Sequence, residues 1–202
     1  MTTLTMPSSP YFSAQGSRIQ LLTNAKILQS PANLSSQTAL YVGSVWAARY
    51  VLPPMTRDQA ADWMAFLIEL EGMSGRFYGP IPGGREPRGA ATGTPLVKGA
   101  AQTGSSLVTD GWTAGVTGIL KTGDFIGVGG FLYMVTADAN SDGTGNATLS
   151  IKPQIRTAPS DNAPITTTNP TTTMRLTGNE VGWDISSMMI YGLEFEGIET
   201  FV

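Results

Sequence analysis

Only one strong helical period runs through the chain, in TRDQAADWMAFLIELEG, residues 56–72. Thr56 can cap this stretch, and Gln59, three residues on, completes a capping box. Asp58 lies in the first turn, where a negative charge favours the helix dipole. Ala60, Trp63, Phe66, Leu67 and Leu70 recur at helical spacing and form one apolar stripe. Gly72 supplies the stop. Trp63 and Phe66 are read as core packing against the preceding strand rather than as a ligand box. Elsewhere the chain, which carries 24 Gly and 13 Pro in all, is cut into short segments, which suit strands and turns. The predicted class is mainly β with one main α-helix (α+β).

A chain of 202 residues suits one ordinary domain or two small ones and can bury a core without staples. It has no Cys and no His. A disulfide framework, a thiolate nucleophile, a Cys/His zinc site and a His-based triad are excluded. Charged residues make up 13%, the net charge is −3, and Lys and Arg form no block. That argues against binding by phosphate neutralisation. The opening MTTLTMPSSPYFSAQGS lacks a basic region and an apolar core, so no signal peptide is expected. WMAFLI is too short to span a bilayer. A soluble protein with no membrane insertion is expected.

Residues 1–17 form a Ser/Thr/Pro-rich arm. The expectation is a frayed terminus, the alternative a strap docking Tyr11 and Phe12 on a neighbouring subunit. RIQLLTNAKILQSP is strand material. ALYVGSVWAARYVLPP reads as one strand with Leu40, Val42, Trp46, Tyr50 and Leu52 on one face, ended by Pro53 and Pro54. GRFYGPIPGGREPRGAATGTP reads as a loop without a phosphate-cradle pattern. Its Arg85 and Arg88 are expected to be solvated or paired with an acid. SSLVTDGWT, GILKTGDFIGV, FLYMVT and ATLSI then follow as short strands. Gly129-Gly130 makes a hairpin turn, and the set predicts a small barrel or sandwich. TAPSDNAPITTTNPTTT reads as a connector. EVGWDI, with Val181, Trp183 and Ile185, and MMIYGLEFEGIETF, with Met189, Tyr191, Leu193 and Phe195, predict closing strands paired with the first ones. The expected organisation is an arm (1–17), a discontinuous domain (18–89 and 161–202) and an inserted β domain (90–160).

Asp138, Asn140 and Asp142 match the start of a calcium loop. Position 12 of that pattern is Leu149, and strand-like alternation replaces the flanking helix. A turn closed by Asx geometry is preferred, with a non-EF calcium turn as alternative for the loop Asp138–Asn146. Asp110, Asp124 and Asp161 complete the middle acids, and nothing pairs any two as a hydrolase would. No catalytic, cofactor-binding or metal-ligating residue is assigned, no cofactor is expected, and no enzyme is expected. Trp112, Phe131 and Tyr133 are either a stacking platform for a glycan or core packing.

The order of these elements resembles tail proteins of long-tailed, siphovirus-like bacteriophages, often labelled distal tail proteins, over nearly the whole chain. The resemblance rests on W-x-A-x-Y-x-L-P-P-M (Trp46–Met55), the helix, L-K-x-G-D (Leu120–Asp124) and D-G-x-G-N-A-T-L (Asp142–Leu149). It implies a structural virion protein without enzymatic activity, made in the host cytoplasm and placed at the distal end of the tail. It further implies a ring, usually hexameric, joining the tail tube to the tip or baseplate and keeping a channel open for DNA ejection. Tube protein, tip or hub proteins and side fibres are the implied partners. The implied fold is a tail-tube-like β domain with a flanking helix and an inserted small β domain. In such a ring the Glu194/Glu196 strand face either lines the channel or is an ordinary solvated face. The rival readings are a glycan- or fibre-binding module and a carboxylate cell-wall hydrolase.

Overall fold

The computed structural model describes residues 3–12, 16–41 and 43–201. Strands β1 (Thr3–Thr5), β2 (Arg18–Leu22), β3 (Ala25–Gln29), β4 (Ser36–Leu40) and β5 (Val45–Val51) precede helix α1 (Arg57–Glu69). Then come β6 (Arg76–Pro80), β7 (Gly93–Val97), β8 (Gly104–Trp112), β9 (Phe125–Val128), β10 (Phe131–Val135) and β11 (Ala147–Ile155). β12 (Ile165–Thr166), β13 (Thr171–Leu176), β14 (Asp184–Ile185), β15 (Tyr191–Gly192) and β16 (Glu194–Glu199) close the chain. The fold is mainly β with one α-helix among the described residues.

A six-stranded sheet runs β1-β6-β13-β16-β5-β2, parallel only at β1–β6. β16 pairs antiparallel with β5, from Glu194↔Val51 to Ile198↔Ala47, so the last strand lies beside an early one. Alternation along β5 turns Trp46, Ala48 and Tyr50 into the core, and Leu52 follows them. Thr56 caps helix α1, and its N–H donates to Gln59 Oε1 at 3.1 Å. Its stripe of Ala60, Trp63, Phe66 and Leu67 is buried. The rings of Tyr50 and Phe195 stack at 5.0 Å, and Phe66 meets Phe77 edge-on at 5.9 Å. Such contacts add to area burial. Gly197 lies under this cluster: a Cβ there would sit 2.7 Å from Phe77 Cζ.

Several expectations change. The arm is not a frayed end, because Thr3–Thr5 pairs with Arg76–Tyr78. Phe12 is buried in the chain's own core, 4.7 Å from Tyr50. β6 lies in the expected loop, β12 lies inside the expected connector and β13 begins in it. Turn signals at Gly79 and Pro80 masked an inward Phe77, and threonines fit a pleated surface as well as they fit a loop. The strand expected over 40–52 is broken after β4, and the Leu40 side chain and Val42 lie outside the described residues. EVGWDI does not enter the main sheet. Trp183 and Ile185 are exposed beside the two-residue β14, and Met189 is exposed too, whereas Tyr191, Leu193 and Phe195 are buried.

The second sheet runs β12-β9-β10-β11-β8-β7. A bridge between Leu96 and Pro164 and the bond from Val97 N–H to Ala163 O (2.9 Å) tie its last strand to the segment before its first, curling it into a nearly closed small barrel. Ile165–Thr166, beyond the expected boundary at 160, still pairs inside it. Leu107, Ile119, Leu120, Ile126, Val135, Leu149 and Ile151 fill the interior. Gly129 and Gly130, at φ 58° and 82°, make the two-residue turn from β9 to β10, the conformation that a hairpin of this length demands.

Barrel and sheet share a packed join. Trp46 Nε1 donates to Leu132 O at 2.9 Å, and its ring meets Phe125 at 5.7 Å. Leu132 belongs to the core under the first sheet. Among the described residues the β3–β4 hairpin pairs with no other strand, and it is exposed along all of β3.

Candidate functional site

Asp138, Asn140 and Asp142 are each occupied by backbone donors. Asp138 Oδ1 accepts from Thr122 N–H (2.8 Å) and Thr122 Oγ1 (2.9 Å). Asn140 Oδ1 accepts from Gly118 N–H at 2.7 Å. Asp142 Oδ1 accepts from Asn146 N–H (2.9 Å), Thr144 N–H (2.8 Å) and Thr144 Oγ1 (2.7 Å). Bonds from Asn146 and then Thr144 hold the Asp142 carboxyl far below the usual range, and the Thr122 bonds lower the pKa of Asp138. The three side chains serve different amides: Asp142, bonded to Thr144 two residues on, closes an Asx turn, whereas Asp138 and Asn140 tie the loop to Thr122 and Gly118. Among the described residues no group of three or more acids converges as a metal site.

Asp124 is the most buried of these carboxylates at 4% exposure. It accepts from the N–H groups of Lys121 (2.8 Å), Arg88 (3.0 Å) and Gly89 (3.1 Å), and Arg88 Nε lies at 3.4 Å. Burial pushes its pKa up, but the three amides and the guanidinium outweigh burial and hold it below normal. The role is to clamp the segment after β6 onto the barrel. Asp161 likewise accepts from Gly99 N–H at 2.7 Å. Arg88 thus pairs with an acid, and Arg85 instead lies over the Tyr11 ring at 4.4 Å.

The aromatic platform is absent. Trp112 and Tyr133 are each 4% exposed inside the barrel core, and Trp112 Nε1 donates to Thr109 Oγ1 at 2.8 Å. Phe131 stacks on Phe201 at 6.0 Å. Glu194 is bonded to Arg49 at 2.6 Å, and Arg18 lies directly across from Arg49. The Glu194/Glu196 face therefore carries both signs and is not uniformly negative.

One polar cluster escaped the sequence reading. Glu199 is 5% exposed at the join. It accepts from Trp46 N–H (3.1 Å) and Thr172 Oγ1 (2.7 Å), and Arg156 Nη2 lies 3.6 Å away. The Arg156 guanidinium covers the Phe201 ring at 3.9 Å. Burial raises the Glu199 pKa against the opposing pull of Thr172, Trp46 and Arg156, and burial lowers that of Arg156. The Tyr133 phenol, pushed up to about 12 by burial and then by Glu199, faces the same pair. A signal existed: the parity of Leu193 and Phe195 continues through Gly197 to Glu199.

The remaining features are surfaces. Ile27 (69% exposed), Leu28 (63%) and Leu34 (72%) stand out on the β3–β4 hairpin. At its base Leu21, Tyr41, Lys152 and Arg156 border a groove of about 270 Å³. Trp183, Ile185, Met188 and Met189 are exposed around the β14–β15 turn. Among the described residues no helix is long and apolar enough to cross a membrane. No protein-family model and no curated protein matches the chain.

Proposed function

We propose that this chain is a structural protein of a bacteriophage tail, a distal tail protein that assembles as a ring, hexameric by the family resemblance. The ring joins tail tube to tip or baseplate and leaves a channel for DNA ejection. The six-stranded sheet with α1 serves as the tail-tube-like ring domain, and the barrel is the inserted domain that meets neighbouring tail proteins or fibres.

The observation that carries this reading is the β3–β4 hairpin. A lone two-stranded hairpin is marginal in water, and this one presents Ile27, Leu28 and Leu34 to solvent. Exposed apolar side chains gathered on one projection mark a contact surface, and a subunit built to join others needs one. A catalytic reading lacks comparable support, since Asp124, Asp138, Asp142 and Asp161 are bonded to backbone amides. A glycan-binding barrel loses its platform with the burial of Trp112 and Tyr133.

Electron microscopy of the purified protein beside a variant with residues 24–41 replaced by a short Gly/Ser turn tests the reading. Closed rings are expected for the intact chain and separate subunits for the variant. Rings of equal abundance from both remove the hairpin as its support.

A further inference from the structure

Two exposed apolar features lie at opposite ends of β5. The hairpin and the groove at its base adjoin Val45, since β2 pairs Leu22 with Val45. The β14–β15 turn adjoins the other end, where β16 pairs Glu194 with Val51 and Tyr191 bridges to Met55. The six residue steps from Val45 to Val51 span about 20 Å. Within one chain the two features cannot meet.

They are complementary in chemistry. The turn is fixed by the bonds Ser186 N–H to Ile190 O (2.9 Å) and Met189 N–H to Ser186 O (3.0 Å). It presents Met188 and Met189 at 79% and 59% exposure, with the exposed Asp184 on β14 and the exposed Glu180 just before it in the chain. The groove offers Leu21 and Tyr41 as apolar walls and the exposed Lys152 in its lining, with the exposed Lys26 opposite Ala39 near the base of the hairpin. None of these four charged residues takes part in an ion pair among the described residues. Methionine is the side chain that best adapts to such a cleft and to an aromatic wall.

We propose that the β14–β15 turn of one copy seats in the groove at the hairpin base of the next copy. Met188 and Met189 then lie against Tyr41 and Leu21, and Glu180 and Asp184 face Lys26 and Lys152. The contact joins two different patches, so it repeats head to tail and closes into a ring when the rotation allows. It rests on the ring-forming reading and names the contact that builds the ring.

Mass photometry of the full chain, with thermal melts to confirm folding, tests the contact. The double variants Glu180→Lys/Asp184→Lys and Lys26→Asp/Lys152→Asp are each expected to lower the assembled fraction at least tenfold. Their four-site combination is expected to restore it, and Met188→Asp/Met189→Asp to abolish it. Wild-type-like assembly of either charge-reversed variant overturns this contact and leaves the ring reading standing. Failure of the combination to recover also overturns it. A wild-type chain that stays monomeric at every concentration overturns the contact and the ring reading together.

Discussion

Glu199 and Arg156 meet at 3.6 Å where the barrel joins the six-stranded sheet, one contributed by each. Breaking a buried pair leaves the remaining charge uncompensated, at about 3–5 kcal/mol. Arg156→Met is expected to cost roughly that in denaturant unfolding, and Arg156→Met/Glu199→Gln to regain most of it. Additive losses contradict the coupling. The pH dependence has a definite sign. Burial raises the Glu199 pKa above its ordinary 4.5, so the folded chain holds that proton more tightly than the unfolded chain. The contribution is full below pH 4.5 and is lost as pH rises through the folded value. Glu199→Gln should therefore gain stability relative to wild type across that rise. A difference independent of pH counts against it.

Asp124 behaves oppositely. Its pKa is held below the ordinary 3.8, so its contribution is present above that pH and lost as pH falls through the folded value. Asp124→Asn turns an amide donor toward the N–H groups of Lys121 and Gly89, which share one carboxylate oxygen. A loss of about 2–3 kcal/mol is expected at pH 7, shrinking below pH 3.8. A loss that persists unchanged in acid assigns the effect to packing instead.

Phe12 links the arm to the core, with ring contacts to Tyr50 at 4.7 Å and to Trp63 at 5.7 Å. Phe12→Ala is expected to cost about 3–5 kcal/mol. An unchanged melting temperature would mean that the arm does not dock.

The helix and the barrel strands β8–β11 were legible because their periods are undisturbed, whereas β7 began in an expected loop and β12 fell in an expected connector. The stripe Ala60–Leu67 and the alternation Ala147–Ile151 each continue long enough to fix a face. β6 and β13 were hidden because local chemistry pointed the other way. Gly79 and the Thr171–Thr173 run read as turn and connector, and only pairing between residues far apart in sequence, such as Thr172↔Gly79, makes them strands. Trp183 illustrates the reverse: an alternating apolar pattern without a neighbour to bury it stays exposed. The Glu199 cluster required extending one strand's parity past a charged residue, against the expectation that acids face water.

The acidic loop should be indifferent to calcium. Asp138, Asn140 and Asp142 already serve separate backbone donors, and a cation would have to displace those bonds. Calorimetry at millimolar calcium is expected to show no binding heat and no change in melting temperature. A saturable heat lost in Asp142→Asn contradicts this.

The most direct test of the account is the mass distribution of the purified chain across a concentration series. A discrete closed oligomer, hexamer-sized or a multiple of it, that disappears when the β3–β4 hairpin is removed is the predicted result. A single monomer peak at every concentration, unchanged by loss of the hairpin, would contradict it.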